Sequence, residues 1–188
     1  MPAATITTTT MTTNTNPAAL LRLLAWLSPA FPTGGYAWSH GIEWAVEAGD
    51  IANAETLRLW LENILRHGAG RTDAILLRHA HRAAADIEAL TTLAALARAL
   101  AASRELLAET TAQGNAFRAA AAAWNPDVLT RLVGDLPYPI AVGALAGAQG
   151  IAENDATLGV LQAFAANLIS AAVRLVPLGQ SAGLAVLA

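Results

Sequence analysis

Two residue types that carry much protein chemistry are missing from this chain of 188 residues: it has no cysteine and no lysine. The absence of cysteine excludes disulfides, thiolate metal sites and cysteine nucleophiles. The absence of lysine excludes Schiff-base chemistry and a phosphate-binding loop of the G-x-x-x-x-G-K-[ST] type. The chain therefore cannot hold a nucleoside triphosphate in such a loop.

Charge is also scarce. Asp, Glu, Lys and Arg make up 13% of the residues, the net charge is −3 and the pI is near 5.7, a balance that argues against a nucleic-acid-binding surface. Hydrophobic residues make up 55% and the mean hydropathy is +0.43, which is high for a soluble protein. We expect partner proteins to cover the surplus apolar surface.

The most apolar stretch, residues 158–178, is long enough to raise the question of a membrane span. It contains Gln162, Asn167 and Arg174, and a bilayer core would penalise the arginine alone by about 3 kcal/mol. The stretch therefore predicts a buried helix, and we expect no membrane insertion.

The N-terminal residues 1–16, "MPAATITTTTMTTNTN", are mostly threonine and have no apolar periodicity. Such a segment cannot bury enough surface to offset its ordering entropy, so we expect a disordered tail. From residue 17 to residue 188 alanine and leucine dominate, and apolar residues repeat at helical spacing. This pattern predicts an all-α fold, a single-domain bundle of roughly eight to ten helices.

Three predicted helix starts carry a side chain that can cap the first turn, Asn16, Asn53 and Asp86, and a long helical pattern begins at Ser103. Asn125 with Pro126 is predicted to cap a short helix that ends near Gly134, and Ser181 is predicted to cap a last one. In the first helix, Leu20, Leu24 and Leu27 are predicted to form a stripe along one face. Residues 140–152 are rich in alanine and glycine, and these small side chains are expected to let two helix backbones approach closely.

Residues 28–49, "SPAFPTGGYAWSHGIEWAVEAG", combine prolines, a glycine pair, aromatics, a histidine and glutamates. His40, Glu43 and Glu47 have the spacing of one helical face, and an imidazole with two carboxylates can hold a divalent metal. The alternative is a polar stripe on an amphipathic helix. The serines lack a G-x-S-x-G setting or an obvious base, so we expect no enzymatic activity.

A docking surface is the other interpretation of this segment. If a helix begins near Gly35, then Tyr36, Ser39, His40 and Glu43 share a face beside a proline-stiffened loop. Exposed aromatic and charged groups on a rigid support are typical of interface hot spots. For the neighbouring tryptophans, a place in the core is an equal alternative.

Two stretches resemble the family of the urease accessory protein UreF. Residues 20–49, "LLRLLAWLSPAFPTGGYAWSHGIEWAVEAG", fit the family's motif S-P-x-x-P-x-G-G-[FY]-x-x-S-x-G-[LI]-E-W-A-V-E-A-G. Residues 171–183, "AAVRLVPLGQSAG", contain its second motif, [RK]-L-[VI]-P-[LF]-G-Q. A looser version of the family's mid-chain segment is found in "ETTAQGNAF", residues 109–117. The likeness extends over roughly the whole predicted domain.

The resemblance implies a nonenzymatic, all-helical homodimer in the cytoplasm. It implies binding to UreD, also called UreH, on one side and to the GTPase UreG on the other. The assembly delivers nickel to apo-urease, and the family protein is expected to gate GTP hydrolysis by UreG against nickel transfer. No firmly bound cofactor is expected, because the complex as a whole handles the nickel.

The resemblance also implies roles for individual residues. Glu43 and Arg174 match positions tied to the UreG-facing surface, and Tyr36, Ser39 and Gly41 are their motif neighbours. For Arg174 three alternatives stay open. It complements the dipole of its helix, it pairs with a carboxylate such as Glu43, or it reaches a partner, where it would dock or act as an arginine finger in trans.

Some positions depart from the family pattern. His40 stands where the family usually has glutamine, so a histidine-based nickel site would be peculiar to this protein. Leu184 replaces a common glutamine. The family continues beyond the position of Ala188 with another helix and a C-terminal tail that engages UreD, so UreD binding is the expectation that this difference affects most.

Overall fold

The computed structural model describes residues 16–124, 126–176 and 178–188, so the predicted threonine-rich tail, apart from its last residue, lies outside the described residues. The described residues form helices and no strand, which confirms the predicted all-α class. The helices are α1 (Pro17–Trp26), α2 (Ile42–Glu47), α3 (Ala54–His67), α4 (Ala69–Arg82), α5 (Ile87–Ala99), α6 (Arg104–Ala120), α7 (Asp127–Thr130), α8 (Tyr138–Ala148), α9 (Glu153–Leu175) and α10 (Gln180–Leu187). Two 3₁₀ turns accompany them, Gly35–Ala37 and Ala121–Trp124.

Of the predicted caps, Asn125 lies outside the described residues, and Ser181 is wrong, because it lies inside α10, which begins after Gly179. The side chains of Asn16, Asn53, Asp86 and Ser103 do cap helices. Each accepts a hydrogen bond from a backbone N–H in the first turn, which would otherwise have no partner within the helix. The capping residues are Asn16 for α1, Asn53 for α3, Asp86 for α5 and Ser103 for α6. The start of each of these helices is therefore encoded locally.

Two apolar clusters form the core. The larger is built mainly from α1, α4, α5, α6, α8 and the first half of α9. The smaller joins α2, α3 and the second half of α9, with α10 packed against it. Because α9 contributes to both clusters, it connects them along the length of the bundle.

Among the described helices, α9 is the one that is long and apolar enough to cross a membrane, judged by length and composition alone. It contacts α1, α2, α3, α4, α8 and α10. Of its most apolar window 39% is buried, so α9 packs against several helices but keeps an exposed side, and the buried helix predicted for residues 158–178 is realised only in part.

Helices α4 and α8 make the most extensive contact between described helices. Eight of the eleven residues of α8 are buried, and the added Cβ of a larger residue at Gly143 or Gly147 would overlap the carbonyl oxygen of Leu77 or His81. The prediction that residues 140–152 permit close backbone approach is therefore confirmed. We call this contact the α4–α8 seam.

The predicted face of α1 is wrong. Leu20 and Leu24 are exposed, and the buried positions are Ala19, Leu23 and Trp26. The segment "LLRLLAWL" is apolar on nearly every side, so its periodicity does not define one face. The inward face is set by packing, because α1 lies against α9 at Gly159, where an added Cβ would meet Leu27 and Leu23.

Candidate functional site

The segment that carries the first motif is not one continuous helix. A 3₁₀ turn covers Gly35–Ala37, the backbone is extended at Trp38, and α2 begins only at Ile42. His40 and Gly41 both have positive φ, at 50° and 78°. Among the described residues, His40 is the one non-glycine residue in this left-handed region, a conformation that histidine adopts more readily than most side chains.

The turn at His40 points its side chain inward. The imidazole is 9% exposed, and its Nε2 lies 3.0 Å from Oε1 of Glu109 on α6. The ring also contacts Phe164 of α9 edge-to-face, with ring centroids 4.8 Å apart. His40 therefore links the segment to two helices that are distant in sequence.

Glu109 is one of the few buried charged or polar side chains. It is 8% exposed, and the same oxygen that faces His40 accepts a hydrogen bond of 2.9 Å from Nε2 of Gln113. A buried carboxylate needs such donors, because desolvation without them is costly. A second tie holds the segment from α9, where the Asn167 side-chain amide donates to the carbonyl of Gly35 at 2.9 Å.

Asp73 on α4 lies close to this pair. Burial raises the pKa of Asp73 to about 7, the negative charge of Glu109 raises it further, and His40 opposes both effects. Burial likewise raises the pKa of Tyr138 to about 12, and Asp73 adds to that shift. Two carboxyl groups in one poorly solvated region do not both ionise readily, so Asp73 is partly protonated near neutral pH.

These groups line a cavity of about 910 Å³. Its walls come from residues 26–36, the start of α4, the middle of α6 and the middle of α9. Apolar surface predominates, and Asp73 and Glu109 are the acidic groups in the described lining. The size and character are those of ligand-binding cavities.

The outer side of the same segment is exposed. Tyr36 is 79% and Trp44 is 65% exposed, and Gly41 and Glu43 are also at the surface. Trp44 is therefore not a core residue, and Ser39 is half-buried. The predicted common face of Tyr36, Ser39, His40 and Glu43 does not form as one helix, because His40 turns inward while Tyr36 and Glu43 turn outward. Within residues 36–47 we call the exposed residues the outer face, namely Tyr36, Ala37, Gly41, Glu43, Trp44 and Glu47.

The metal hypothesis depends on His40, Glu43 and Glu47 sharing a helical face, and the structure separates them. Helix α2 begins after His40, whose imidazole is buried against Glu109, whereas both glutamates are exposed. Throughout the described part of the chain, no group of three His, Cys, Asp or Glu side chains is placed to hold a metal ion. The prediction that these three residues share one helical face is therefore wrong.

Arg174 lies exposed in the last turn of α9. Its helix contacts α2, and Ile42 and Ala45 of α2 share an apolar cluster with Ala172. Glu43 and Arg174 thus lie on two helices that pack together. Within the described residues no ion pair joins them, so the pairing alternative is not realised, and Arg174 is free to complement the helix dipole or to meet a partner.

The buried polar cluster was not identified as a site from the sequence. Glu109 and Gln113 are four residues apart in "ETTAQ", a spacing that places two side chains together on a helix. That spacing, within a segment that resembles the family, is the sequence feature that could have indicated a polar cluster at Glu109. Asp73 and Tyr138 have no comparable local signal, because only the packing of α4, α6 and α8 brings them near Glu109.

Comparison with known proteins identifies a match over most of the chain. The family model named UreF matches residues 51–188. A urease accessory protein UreF from Methylorubrum populi is 53% identical over 175 residues, which cover 89% of this chain and 78% of the relative. The protein of the same name from Mesorhizobium japonicum is 51% identical over 178 residues, covering 95% and 80%. That from Agrobacterium fabrum is 46% identical, also over 178 residues, with the same coverage.

Proposed function

This chain belongs to the UreF family of urease accessory proteins, and we propose that it serves as a non-catalytic scaffold linking UreD (UreH) to the GTPase UreG. Family membership gives it a role in urease maturation. The finer proposal is that it gates GTP hydrolysis by UreG so that nickel enters apo-urease only when the assembly is complete.

The observation that carries the proposal is the outer face. Tyr36 and Trp44 expose most of their large side chains, next to the acidic Glu43. Buried contacts from His40 to Glu109 and from Gly35 to Asn167 fix the backbone beneath them. Large aromatics on a restrained backbone lose little conformational entropy on binding, which is the property of an interface anchor.

The absence of lysine determines how this chain would affect GTP hydrolysis. A chain with no lysine cannot form the usual phosphate-binding loop, so any effect on GTP hydrolysis is exerted in trans on UreG. Arg174 is exposed and carries the permanent positive charge that such an effect needs. Docking against UreG requires less exact geometry than direct action on the phosphates as an arginine finger.

We further propose a cytoplasmic homodimer. The described surface exposes large apolar side chains on several helices, among them Leu21, Leu24, Leu158 and Leu184. A protein whose composition is this apolar is expected to cover part of that surface with a second copy or with its partners.

Reconstitution tests the proposal. Purified chain, UreD and UreG are mixed in all combinations, and complexes are separated by size-exclusion chromatography. We expect UreG to join only when UreD is also present, and no GTPase activity from the chain alone. In cells that lack the gene, urease should accumulate with little nickel, as measured by elemental analysis. Fully metallated urease in those cells would refute the proposal.

Glu43→Ala tests the surface assigned to UreG. Glu43 is exposed and makes no ion pair among the described residues, so the substitution should leave thermal stability within about 0.5 kcal/mol. We expect weaker coupling between complex formation and GTP hydrolysis. Glu88→Ala, an exposed glutamate in the first turn of α5, is the matched control. A large loss of stability in Glu43→Ala would assign that residue to the fold instead.

A further inference from the structure

The cavity beneath residues 26–36 is built like a ligand site. Its volume of about 910 Å³ lies in the range of small-molecule pockets. The aromatic side chain of Phe31 forms part of its apolar wall, and Asp73 and Glu109 line the same space. An apolar cavity with a few acidic groups suits a ligand that has an apolar body and a polar head.

The two acidic groups differ in their partners. Glu109 is bonded to both His40 and Gln113. Asp73 has no hydrogen bond or ion pair from its side chain among the described residues, although the protein surrounds it closely enough to raise its pKa to about 7. Asp73 is half-buried, and a carboxyl group that lines a cavity without a protein partner is available to pair with a ligand.

The charged side chains that line the cavity favour a cationic ligand. The described lining residues include Asp73, Glu109, His40 and His67, and no arginine. An anionic head would meet two carboxyl groups with no guanidinium to offset them. The donor positions also do not suit a metal ion, because no three of the described His, Asp or Glu side chains converge on one point.

We propose that this cavity binds an organic cation with a planar amidinium or guanidinium head, which pairs with the carboxylate of Asp73 while its body packs against Phe31. A planar head offers two parallel N–H donors to the two oxygens of a carboxylate, an arrangement stronger and more directional than a single contact. The head comes either from a free small molecule or from an arginine side chain of another protein.

Binding is coupled to a proton. The groups that face Asp73 are Glu109 on α6, His40 before α2 and Tyr138 on α8, and His67 at the end of α3 lines the same cavity. The cation pairs with ionised Asp73, so binding releases the proton that Asp73 holds near pH 7. Affinity should therefore fall as the pH drops below 7, by about tenfold or more between pH 7.5 and pH 5.5.

Isothermal titration with benzamidine, an amidinium on an aromatic ring, tests the proposal on the intact chain. We expect saturable binding at one site and about tenfold or weaker binding of the neutral isostere benzamide. Asp73→Asn should weaken benzamidine binding by a similar factor. Asp86→Asn makes the same chemical change at an exposed helix cap, which asparagine preserves, and should leave binding unchanged.

Two arginine peptides distinguish the sources of the head. Acetyl-Gly-Arg-Gly-amide that displaces benzamidine, with no displacement by the citrulline analogue, would assign the head to an arginine of another chain. Displacement by neither peptide would assign it to a free small molecule, and the proposal stands in both cases. Equal affinity for benzamidine and benzamide, no saturable benzamidine binding up to roughly 10 mM, or unchanged binding in a folded Asp73→Asn would overturn it. If Asp73→Asn does not fold, the benzamidine–benzamide comparison and its pH dependence in the wild type decide.

Discussion

The α4–α8 seam and the cavity beneath residues 26–36 lie in one bundle but are packed in opposite ways. At the seam, Gly143 and Gly147 bring two helix backbones into direct contact. At the cavity, large side chains and a buried acid cluster hold the elements apart around about 910 Å³ of space. Where two helix backbones are in direct contact, a substitution that adds volume destabilises the fold. Around a cavity with acidic groups, stability depends mainly on substitutions that change charge. The two regions should therefore fail under different substitutions.

An added methyl group at the seam should have the largest effect on stability. Gly143→Ala would overlap the carbonyl oxygen of Leu77, a backbone atom that cannot rotate away, so the helices must separate. We expect a loss of about 3 kcal/mol in the free energy of unfolding, measured by urea denaturation.

Gly159→Ala is the matched control, because it also adds a methyl group inside a helix and gains the same helix propensity. Its Cβ would meet the side-chain tip of Leu27 at 2.7 Å, and that tip can move. We expect a change below about 1 kcal/mol. Equal losses in the two variants would show that the seam is no tighter than the rest of the bundle.

Removal of the imidazole should have the next largest effect. His40→Ala leaves Glu109 with Gln113 as its one remaining side-chain partner, and an under-satisfied buried carboxylate costs about 2 kcal/mol. His40→Gln keeps a side-chain donor, and glutamine is the residue that the family usually has here, so its loss should be under about 1 kcal/mol. Thermal unfolding of both variants makes the comparison. Equal destabilisation would mean that the bond to Glu109 does not hold the segment.

The charge of Asp73 should have an effect on stability whose size depends on pH. Its pKa in the folded protein is raised to about 7, so the folded state keeps a proton that the unfolded state releases at about pH 4. The resulting stabilisation is complete in acid and is lost as the pH rises to 7 and above. Asparagine stays neutral, so Asp73→Asn should be more stable than wild type at pH 8, and the difference should shrink as the pH falls and vanish near pH 4.

Urea denaturation across this pH range provides the measurement. Asp86→Asn, at an exposed cap, should show no such pH-dependent difference. A stability difference for Asp73→Asn that is independent of pH would contradict the raised pKa.

The smallest stability effect is expected at the outer face. Tyr36→Ala and Trp44→Ala remove exposed side chains and should change the free energy of unfolding by less than about 0.5 kcal/mol. Their effect on capture of the UreD–UreG pair should nevertheless be about tenfold or more, as expected for interface anchors. Val133→Ala, at a position that is 95% exposed in the α7–α8 connection, is the control for loss of exposed apolar surface. Unimpaired capture by both aromatic variants would remove the outer face from the interface.

The sequence predicts most of the seam, because the signals there are local. Helix caps such as Asn53 and Asp86 accept hydrogen bonds from N–H groups in their own first turn. The spacing of the glycines in α8 predicts close approach of another helix backbone. The face of α1 was wrong because leucines surround it, and only contact with α9 selects Leu23 and Trp26 for burial.

The cavity side was less predictable because its defining contacts are long-range. His40 reaches Glu109, which is 69 positions away in sequence, through a left-handed turn that helical spacing does not anticipate. The exposed aromatics of the outer face follow from the same turn. Local patterns identified residues 28–49 as unusual, but tertiary packing decides which of their side chains face inward.

Hydrogen–deuterium exchange of the chain, alone and with UreD and UreG, tests most directly whether the outer face is a docking surface. In the free chain we expect amides of residues 36–47 to exchange well before those of α8, which should open only with global unfolding. On complex formation, residues 36–47 should become protected while α8 stays unchanged. Protection confined to other surfaces, with residues 36–47 exchanging as fast as before, would contradict the account.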